Sequence, residues 1–367
     1  MTSEKFFRSK TSIITLLAAC FVVLISLGVR QTFGLFFINF NESLNISNTA
    51  FGLAIGIQML MWGLTGPIFG AIADRYGGHI AIISAFIFYI LGVYYLYSGP
   101  NTGIFFQIHM GLLIGIGLGG TAISILMSVV GKHFPLSTRT IAMSFVTAIG
   151  SFGYFLSPIF TNYSIAEFGW NYTLFIFSLF LLTGLVAAYF VRSPSGFENV
   201  EKSSDQSFKE ALTEAFKTKS YILLVSGFFV CGFHITLVGT HVPKYVIDRG
   251  LENWTAAAIL SLIGLFNIFG SLLSGYLSAK MSKKIILSGI YFLRGISIIL
   301  FIFTPASNFS AFLFGASFGF LWLSTVPATS GIVAHIFGTK YLGLLYGIVF
   351  LSHQIGSFFG AYLGGLF

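Results

Sequence analysis

Eleven apolar runs dominate this chain, and each is long enough to cross a lipid bilayer. A membrane-spanning helix needs roughly 20 apolar residues, because the hydrocarbon core is about 30 Å thick and a helix rises about 1.5 Å per residue. The runs cover residues 13–37, 50–73, 80–97, 104–130, 141–159, 172–191, 221–245, 256–279, 285–303, 311–334 and 342–367. All 11 acidic residues lie between these runs or at their ends. The pattern predicts an all-α membrane protein.

The composition agrees with this prediction. Hydrophobic residues make up 56% of the chain and charged residues 8%, whereas an average soluble domain has about 25% charged residues. The 42 glycines fit helices that pack closely in lipid. Cys20 and Cys231 both fall within apolar runs, so we expect neither a disulfide framework nor a thiolate metal site. No cofactor is predicted.

The net charge of +8 reflects topology rather than a nucleic-acid partner. Fifteen of the 19 basic residues lie in alternate loops, beginning with the N-terminal tail: Lys5, Arg8, Lys10, Arg75, Lys132, Arg139, Arg192, Lys202, Lys209, Lys217, Lys219, Lys280, Lys283, Lys284 and Lys340. The positive-inside rule therefore predicts a cytoplasmic N-terminus. The compact loops favour a bacterial inner (plasma) membrane.

A shift of about 205 residues aligns the two halves of the chain. Gly70 then matches Gly275, and at a shift of 206 Ile149-Gly-Ser-Phe152 matches Ile355-Gly-Ser-Phe358. We predict a six-helix bundle over residues 1–191, a cytoplasmic linker over 192–220 and a second bundle over 221–367. The second bundle then has five spans, so a twelfth is expected beyond Phe367, although a natural eleven-span protein stays open.

The linker contains a candidate interfacial helix. Ser207 and Glu210 have the spacing of a capping box, and the residues that follow place several apolar side chains on one helical face. Such a helix can lie on the membrane surface with lysines toward lipid headgroups. A plain solvated linker is the alternative.

One motif between the second and third runs is typical of a known protein family. It reads Gly70-Ala-Ile-Ala-Asp74-Arg75-Tyr-Gly77-Gly78-His79 and resembles the G-x-x-x-D-R-x-G signature of the major facilitator superfamily. The resemblance implies the major facilitator fold, with two pseudo-symmetric six-helix bundles around a central site, and a gating role for Gly70, Asp74, Arg75 and Gly77. Asp74 can cap a helix or pair across the cytoplasmic seam. The alternative is a generic positively charged loop.

Two further segments resemble a monocarboxylate-transporter-like bacterial branch of that superfamily. They are Arg30-Gln-Thr-Phe-Gly-Leu-Phe-Phe37 in the first run and the stretch from Tyr341 to Phe359 in the eleventh. The chain departs from the family where residues 111–120 lack the arginine that many members carry. The eighth run supplies only Asn267 where better-known monocarboxylate carriers have an arginine and an acid.

Arg30 and Arg294 are the two charges inside apolar runs. Insertion scales put the free-energy cost of an arginine at the centre of a membrane helix at roughly 2.5 to 3.5 kcal/mol. Each arginine therefore needs a structural or functional explanation. By the resemblance, Arg30 faces the central cavity, where an anionic substrate supplies its counter-charge. The alternative is an arginine that snorkels or bonds the carbonyls of a broken helix. For Arg294, facing the site and supporting the structure both stay open.

Several neutral groups complete the predicted substrate-binding set. His234 and His353 lie near mid-membrane depth, and histidine is the side chain there that can carry a coupling proton, because no acid lies deep within a run. The alternative for each is a hydrogen-bonded packing residue. Amides and an indole are expected to orient the substrate or to hold helices together: Gln31, Gln58, Asn267, Gln354 and Trp322.

These observations predict a secondary transporter that moves a small organic anion, such as a monocarboxylate, by alternating access. The expected partners are that substrate, membrane lipid and, as an option, a coupling proton, with the chain acting as a monomer. An exporter of a hydrophobic or neutral solute and a non-transporting receptor on the same scaffold are the alternatives. An enzyme is not predicted, and no nucleotide-binding Gly-x-x-x-x-Gly-Lys loop is present.

Overall fold

The computed structural model describes residues 10–192, 208–338 and 342–366. Within these residues lie ten apolar helices long enough to cross a membrane. One of them, Leu136–Ala188, is 53 residues long and is divided at Gly169, where φ is 82° and the helical geometry is lost. The described residues therefore make eleven crossings, and the prediction of an all-α membrane fold is confirmed.

The helices are numbered here as spans 1 to 11 in chain order. Their bounds are Lys10–Gln31 with Phe33–Phe36 and Phe37–Leu44 for span 1, Asn48–Tyr76 for span 2, Gly78–Ser98 for span 3, Ile104–Phe106 with Gln107–Leu113, Ile114–Gly120 and Ile123–His133 for span 4, Leu136–Ala188 for spans 5 and 6, Lys219–Asp248 for span 7, Asn253–Lys280 for span 8, Lys283–Phe303 for span 9, Asn308–Leu321 with Thr325–Phe337 for span 10, and Leu342–Gly364 for span 11. A linker helix, Phe208–Lys217, precedes span 7.

The predicted linker helix is formed. Ala211 and Ala215 on it are buried, whereas Phe216 is exposed. Ser207, the first residue of the predicted capping box, lies outside the described residues.

Ordinary capping chemistry sets several helix ends. The Ser47 hydroxyl accepts a hydrogen bond from the Ala50 N–H at 3.1 Å and so begins span 2. Gly77, with φ of 99°, ends that span and begins span 3, in a conformation that other residues rarely adopt. Ser307 and Ser310 form a reciprocal capping box at the start of span 10.

Spans 1, 4 and 10 are interrupted inside the membrane region. Span 1 turns at Thr32 into a short 3₁₀ segment, and span 4 contains a π-helical stretch, Gln107–Leu113, before a break after Gly120. Span 10 breaks between Leu321 and Thr325. Irregular backbone at membrane depth is tolerated where it is buried in protein or lines a cavity. These three helices therefore hold the best candidate positions for a site.

The buried apolar side chains form two clusters, one in each half of the chain. The first extends from Ala18 to Val191 and also includes Ala361, and the second extends from Ala215 to Val349. Large apolar side chains elsewhere, such as Phe303 and Phe309, point outward as lipid-facing residues do.

The two halves meet closely at one end of the molecule. The Thr49 hydroxyl on span 2 donates to the Gly365 carbonyl at 3.1 Å, and a Cβ placed on Gly56 would lie 3.0 Å from the Phe358 ring of span 11. Toward the opposite end, Gly70 on span 2 and Gly347 on span 11 have no such neighbour within 4 Å. The halves therefore converge where span 2 begins and span 11 ends.

Candidate functional site

Arg30 lies in the last turn of the first segment of span 1, directly before the break at Thr32. One terminal nitrogen is 3.2 Å from Met59 Sδ on span 2, and the other is 3.5 Å from the side-chain oxygen of Gln31. The guanidinium also stands 5.8 Å from the centre of the Trp62 ring. No acidic side chain of the described residues forms a salt bridge with it. Arg30 is thus a half-buried cation with weak partners.

Three buried hydrogen-bond donors without partners belong to the same region. They are Gln31 Nε2, Trp62 Nε1 and Gln354 Nε2, and none has an acceptor among the residues that the structure describes. Gln31 and Gln354 are 2% and 1% exposed, so bulk solvent does not reach them. We call this set of residues the donor cluster: Arg30, Gln31, Trp62 and Gln354.

Packing between spans 2 and 11 brings Gln354 beside Trp62. A Cβ placed on Gly63, the residue after Trp62, would lie 2.8 Å from Gln354 Cβ. The Trp62 ring is also 6.2 Å from the Phe350 ring of span 11. The donor cluster therefore draws on spans 1, 2 and 11, and so on both halves of the chain.

His353 fixes the orientation of Gln354. Its Nδ1 lies 3.0 Å from Gln354 Oε1, and because that oxygen can only accept, His353 is the donor. The imidazole itself is stacked on Phe350, with an interplanar angle of 5°. With its oxygen engaged, Gln354 offers only its NH₂ group to anything that enters.

Arg294 occupies a different position, inside the second half. It is 0% exposed, and its Nε and Nη2 donate to the Leu321 carbonyl at 3.1 and 2.6 Å. Nη2 also donates to the Trp322 carbonyl, and Nη1 lies 3.1 Å from Cys231 Sγ. All three nitrogens therefore have partners, Nε and Nη2 at the break of span 10 and Nη1 on span 7.

Asn267 joins the same break. Its amide nitrogen donates to the Ser151 hydroxyl of span 5 at 3.0 Å, and its oxygen accepts from the Leu323 N–H at 2.9 Å. Trp322, also at the break, is 1% exposed and faces Gly239 of span 7, where an added Cβ would lie 3.4 Å from the indole. The predicted residues Asn267, Arg294 and Trp322 thus form a second group around span 10.

Gln58 and His234 form no hydrogen bond with either group among the described residues. Gln58 donates to the Met110 carbonyl at 3.0 Å, within the π-helical stretch of span 4, and is fully buried. It therefore attaches span 2 to span 4. His234 on span 7 is half-buried, and its Nδ1 has no partner among the described residues.

The residues of the family motif lie where spans 2 and 3 meet. Asp74 forms an ion pair with Lys132, at the end of span 4, at 2.8 Å. This partner belongs to the same half of the chain rather than to the opposite side of the seam. Arg75 stands over the Tyr76 ring at 5.2 Å, and Gly77 supplies the turn described above. Gly70 has open space where a side chain would stand.

Sequence reasoning missed four residues that the structure brings into these groups: Met59, Trp62, Cys231 and Phe350. Three of them are apolar residues in apolar runs, and Cys231 is a small side chain in a run for which the sequence predicts no disulfide or metal site. Met59 and Trp62 are three positions apart on span 2, which places them on one helical face. A tryptophan at mid-membrane depth, away from the interfaces that this residue prefers, was the available signal.

Comparisons with known proteins agree with this fold. A sequence profile described as Major Facilitator Superfamily matches residues 19–366, and the chain belongs to that superfamily. It is 25% identical over 362 residues to the uncharacterised MFS-type transporter YcxA of Bacillus subtilis (strain 168), covering 92% of this chain and 84% of that protein. It is 23% identical over 361 residues to monocarboxylate transporter 13 of Rattus norvegicus, covering 95% of this chain and 80% of that protein.

A solved structure gives the same result for the fold. The crystal structure of a bacterial homolog of the human lysosomal transporter Spinster, in an inward-facing and unoccupied conformation, aligns with a TM-score of 0.74. It is 16% identical and the match covers 98% of this chain and 82% of that one. The expectation of a superfamily member is confirmed, and the chain is an integral membrane protein of the MFS transporter class.

The Asp74 and Lys132 pair leads to a first prediction. Asp74 is 64% exposed, and such surface pairs contribute about 0–1 kcal/mol, so Asp74→Asn is expected to change the melting temperature of the purified protein by little. If Asp74 acts in gating, transport by this variant falls severalfold while its stability is retained. Asp248→Asn, which removes the pair with Lys244 near the opposite end of the molecule, is the matched control. Equal transport by both variants would contradict a gating role.

Proposed function

We propose that this chain is a secondary transporter of a small organic anion, in the first place a monocarboxylate, and that Arg30 binds the carboxylate. The observation that supports this is the donor cluster. Gln31, Trp62 and Gln354 each present a donor that has no acceptor among the described residues, and Arg30 contacts only a thioether and an amide oxygen at 3.5 Å. A carboxylate carries two acceptor oxygens and a negative charge, and it therefore fits a lining of this kind.

The apolar surroundings indicate the size and shape of the rest of the substrate. Met59 and Phe350 border the cluster. Together with the Trp62 ring they favour a short hydrocarbon or aromatic body behind the carboxylate. The relative named monocarboxylate transporter 13 supports the same substrate class. Gln31 and Gln354 are proposed to orient the carboxylate beside Arg30.

We further propose His234 as the group that carries a coupling proton. Its Nδ1 is buried without a partner among the described residues, and imidazole is a side chain that can take up and release a proton. No acidic residue lies at comparable depth in the described spans. His353, by contrast, already donates to Gln354 and is proposed to position that amide.

The proposed cycle is a rocking of the two halves about the donor cluster. By the positive-inside count, the end with Arg75 and Lys132 faces the cytoplasm of a bacterium, and the converged end of spans 2 and 11 faces outward. The conformation described here is then open inward. Return to the outward-facing form breaks contacts such as Thr49 to Gly365 and closes the region near Asp74. One chain, acting as a monomer, holds both halves.

The test is flux into proteoliposomes that contain the purified full-length chain. A panel of labelled monocarboxylates and their neutral amides is measured with and without an imposed pH gradient. We expect uptake of at least one carboxylate, stimulated by the gradient if His234 carries a proton. A panel in which amides and other neutral solutes are moved and no carboxylate is moved would overturn the proposal.

Export of a hydrophobic solute is the second candidate. The aromatic rings of Trp62, Phe350 and Phe228 near His353 provide the supporting observation, because they offer stacking surfaces to a neutral ring system. A relative named agnestins efflux protein AgnL12, from Paecilomyces divaricatus, is 22% identical over 362 residues. Transport of neutral aromatic solutes that is insensitive to a change at Arg30 would favour this function.

A further inference from the structure

The break in span 10 frees backbone groups that a continuous helix would have paired. The helix ends at Leu321 and a second helical segment begins at Thr325. Side chains from two neighbouring spans meet the freed groups. Arg294 of span 9 bonds the Leu321 and Trp322 carbonyls, while Asn267 of span 8 accepts from the Leu323 N–H. The break is therefore built into the fold rather than being a local irregularity.

The C-terminus of the first helical segment of span 10 compensates the positive charge of Arg294. Arg294 is 0% exposed, and the described residues offer it no acidic partner. The segment Asn308–Leu321 directs its C-terminal carbonyls at the guanidinium, and a helix C-terminus carries partial negative charge. Because a buried cation without compensation is expensive, Arg294 depends on the carbonyls that the break frees.

The first half also has a broken helix, span 4, and a group of neutral side chains lies beside its break. The Thr121 hydroxyl, next to the end of the segment Ile114–Gly120 in span 4, lies 2.6 Å from the Ser26 hydroxyl. The Tyr89 hydroxyl of span 3 donates to the Ser26 carbonyl at 2.9 Å. All three side chains are buried, so the group is fully enclosed.

Matching positions of the sequence repeat hold both groups: Ser26, Tyr89 and Thr121 in the first half, and Cys231, Arg294 and Thr325 in the second. Cys231 stands 205 positions after Ser26, Arg294 stands 205 positions after Tyr89, and Thr325 stands 204 positions after Thr121. Cys231 Sγ lies 3.4 Å from Thr325 Oγ1 and 3.1 Å from Arg294 Nη1. These hydrogen-bonded groups brace their helices at matching positions in the two halves. The group is neutral in the first half and contains a cation in the second.

We propose that Arg294 is a positioning residue for transport. It clamps the break of span 10 and so holds the Trp322 indole against Gly239 of span 7, where Trp322 forms a wall of the substrate passage. The role of Trp322 as a wall rests on the proposed function, whereas the clamp itself does not. Tyr89 braces the first half with a single neutral hydrogen bond, so the second half has the stronger brace.

The clamp is tested first by the reactivity of Cys231, which needs no substrate. In a Cys20→Ser background, Cys231 is the one remaining cysteine, and a membrane-permeant maleimide reports its accessibility. Arg294→Lys is expected to raise the labelling rate of Cys231 about tenfold. Lysine keeps the charge but cannot bond two carbonyls and the thiol together. Ser297→Ala, one turn along span 9, is the control and leaves the rate unchanged. An unchanged rate in Arg294→Lys would overturn the clamp.

The positioning role is tested by a double-mutant cycle with Trp322→Ala. If Arg294 acts through the indole, Arg294→Lys raises the KM for the transported carboxylate about tenfold in wild type and has no further effect in Trp322→Ala. Effects that multiply independently would contradict positioning. If the wild-type chain moves no carboxylate, the proposed function fails, and the labelling experiment still decides the clamp. Tyr89→Phe, which removes the neutral brace, is expected to change KM less than twofold, and a tenfold change would contradict the proposed asymmetry.

Discussion

Arg30→Gln is expected to reduce carboxylate uptake into proteoliposomes by about 100-fold, with normal insertion and folding. Removing one member of a buried charge pair costs about 3–5 kcal/mol, and each 1.4 kcal/mol corresponds to a factor of ten in binding. Glutamine keeps a hydrogen-bond donor but is shorter than arginine and has no charge. Because Arg30 has no acidic partner in the described part of the chain, its loss leaves no protein charge unpaired. Stability should therefore be retained.

Arg30→Lys is the matched control for this prediction. Lysine retains the positive charge but lacks the planar fork that engages both oxygens of a carboxylate. We expect a KM about tenfold above wild type, with a maximal rate close to it. Full activity in Arg30→Gln would show that the cation is not needed for transport and would contradict the proposed binding role.

Gly356→Leu is expected to destabilise the protein by about 3 kcal/mol, the upper part of the range for an overpacked core. A Cβ on Gly356 would collide with the Phe229 carbonyl of span 7. The contact is part of a seam between spans 7 and 11, in which Gly232 meets the His353 carbonyl and Gly360 meets the Phe233 carbonyl. Because backbone is the obstacle, neighbouring side chains cannot relieve the clash. A lowered melting temperature in detergent and reduced yield are the readouts.

Gly289→Leu is the control for the seam. Gly289 lies in the span Lys283–Phe303, and among the described residues nothing beyond its own helix backbone lies within 4 Å of the position where its Cβ would stand. The same added volume should then change the free energy of unfolding by no more than about 0.5 kcal/mol, which leaves the melting temperature close to that of wild type. Equal destabilisation by the two substitutions would show that helix propensity or insertion, rather than the seam, controls stability.

The sequence was sufficient to predict the fold class and the family. Run lengths and the charge pattern predicted eleven crossings, and the motif around Asp74 predicted the superfamily. Both signals are local and follow directly from the physics of the bilayer, since charge is excluded and span length is fixed. Arg30 and Arg294 were likewise visible as charges within apolar runs.

The different surroundings of the two arginines were not predictable from the sequence. Arg30 meets a thioether and an indole, whereas Arg294 bonds backbone carbonyls, and the difference depends on where helices break. Apolar runs conceal such breaks, because the residues of a broken helix remain hydrophobic. For span 10, Pro327 in the first turn of the second segment was the available signal, since proline is tolerated at helix starts. For span 4 it was the pair Gly119 and Gly120.

The balance of polar groups in the donor cluster also required coordinates. Gln31, Trp62 and Gln354 are far apart in the sequence, and only packing between spans 2 and 11 shows that their free groups are all donors. The orientation of Gln354 depends on a bond from His353, its neighbour in the chain, which no sequence pattern specifies. A site of this kind is a property of the assembled helices.

The most direct test of the central claim is the preference for an acid over its amide. Inhibition of labelled carboxylate uptake by an unlabelled acid and by the matched amide is compared, and direct binding of both compounds is measured in wild type and in Arg30→Gln. We expect wild type to prefer the acid at least tenfold, about 1.4 kcal/mol, and Arg30→Gln to bind both equally. A preference for the acid that survives the loss of Arg30, or an equal affinity in wild type, would contradict the account.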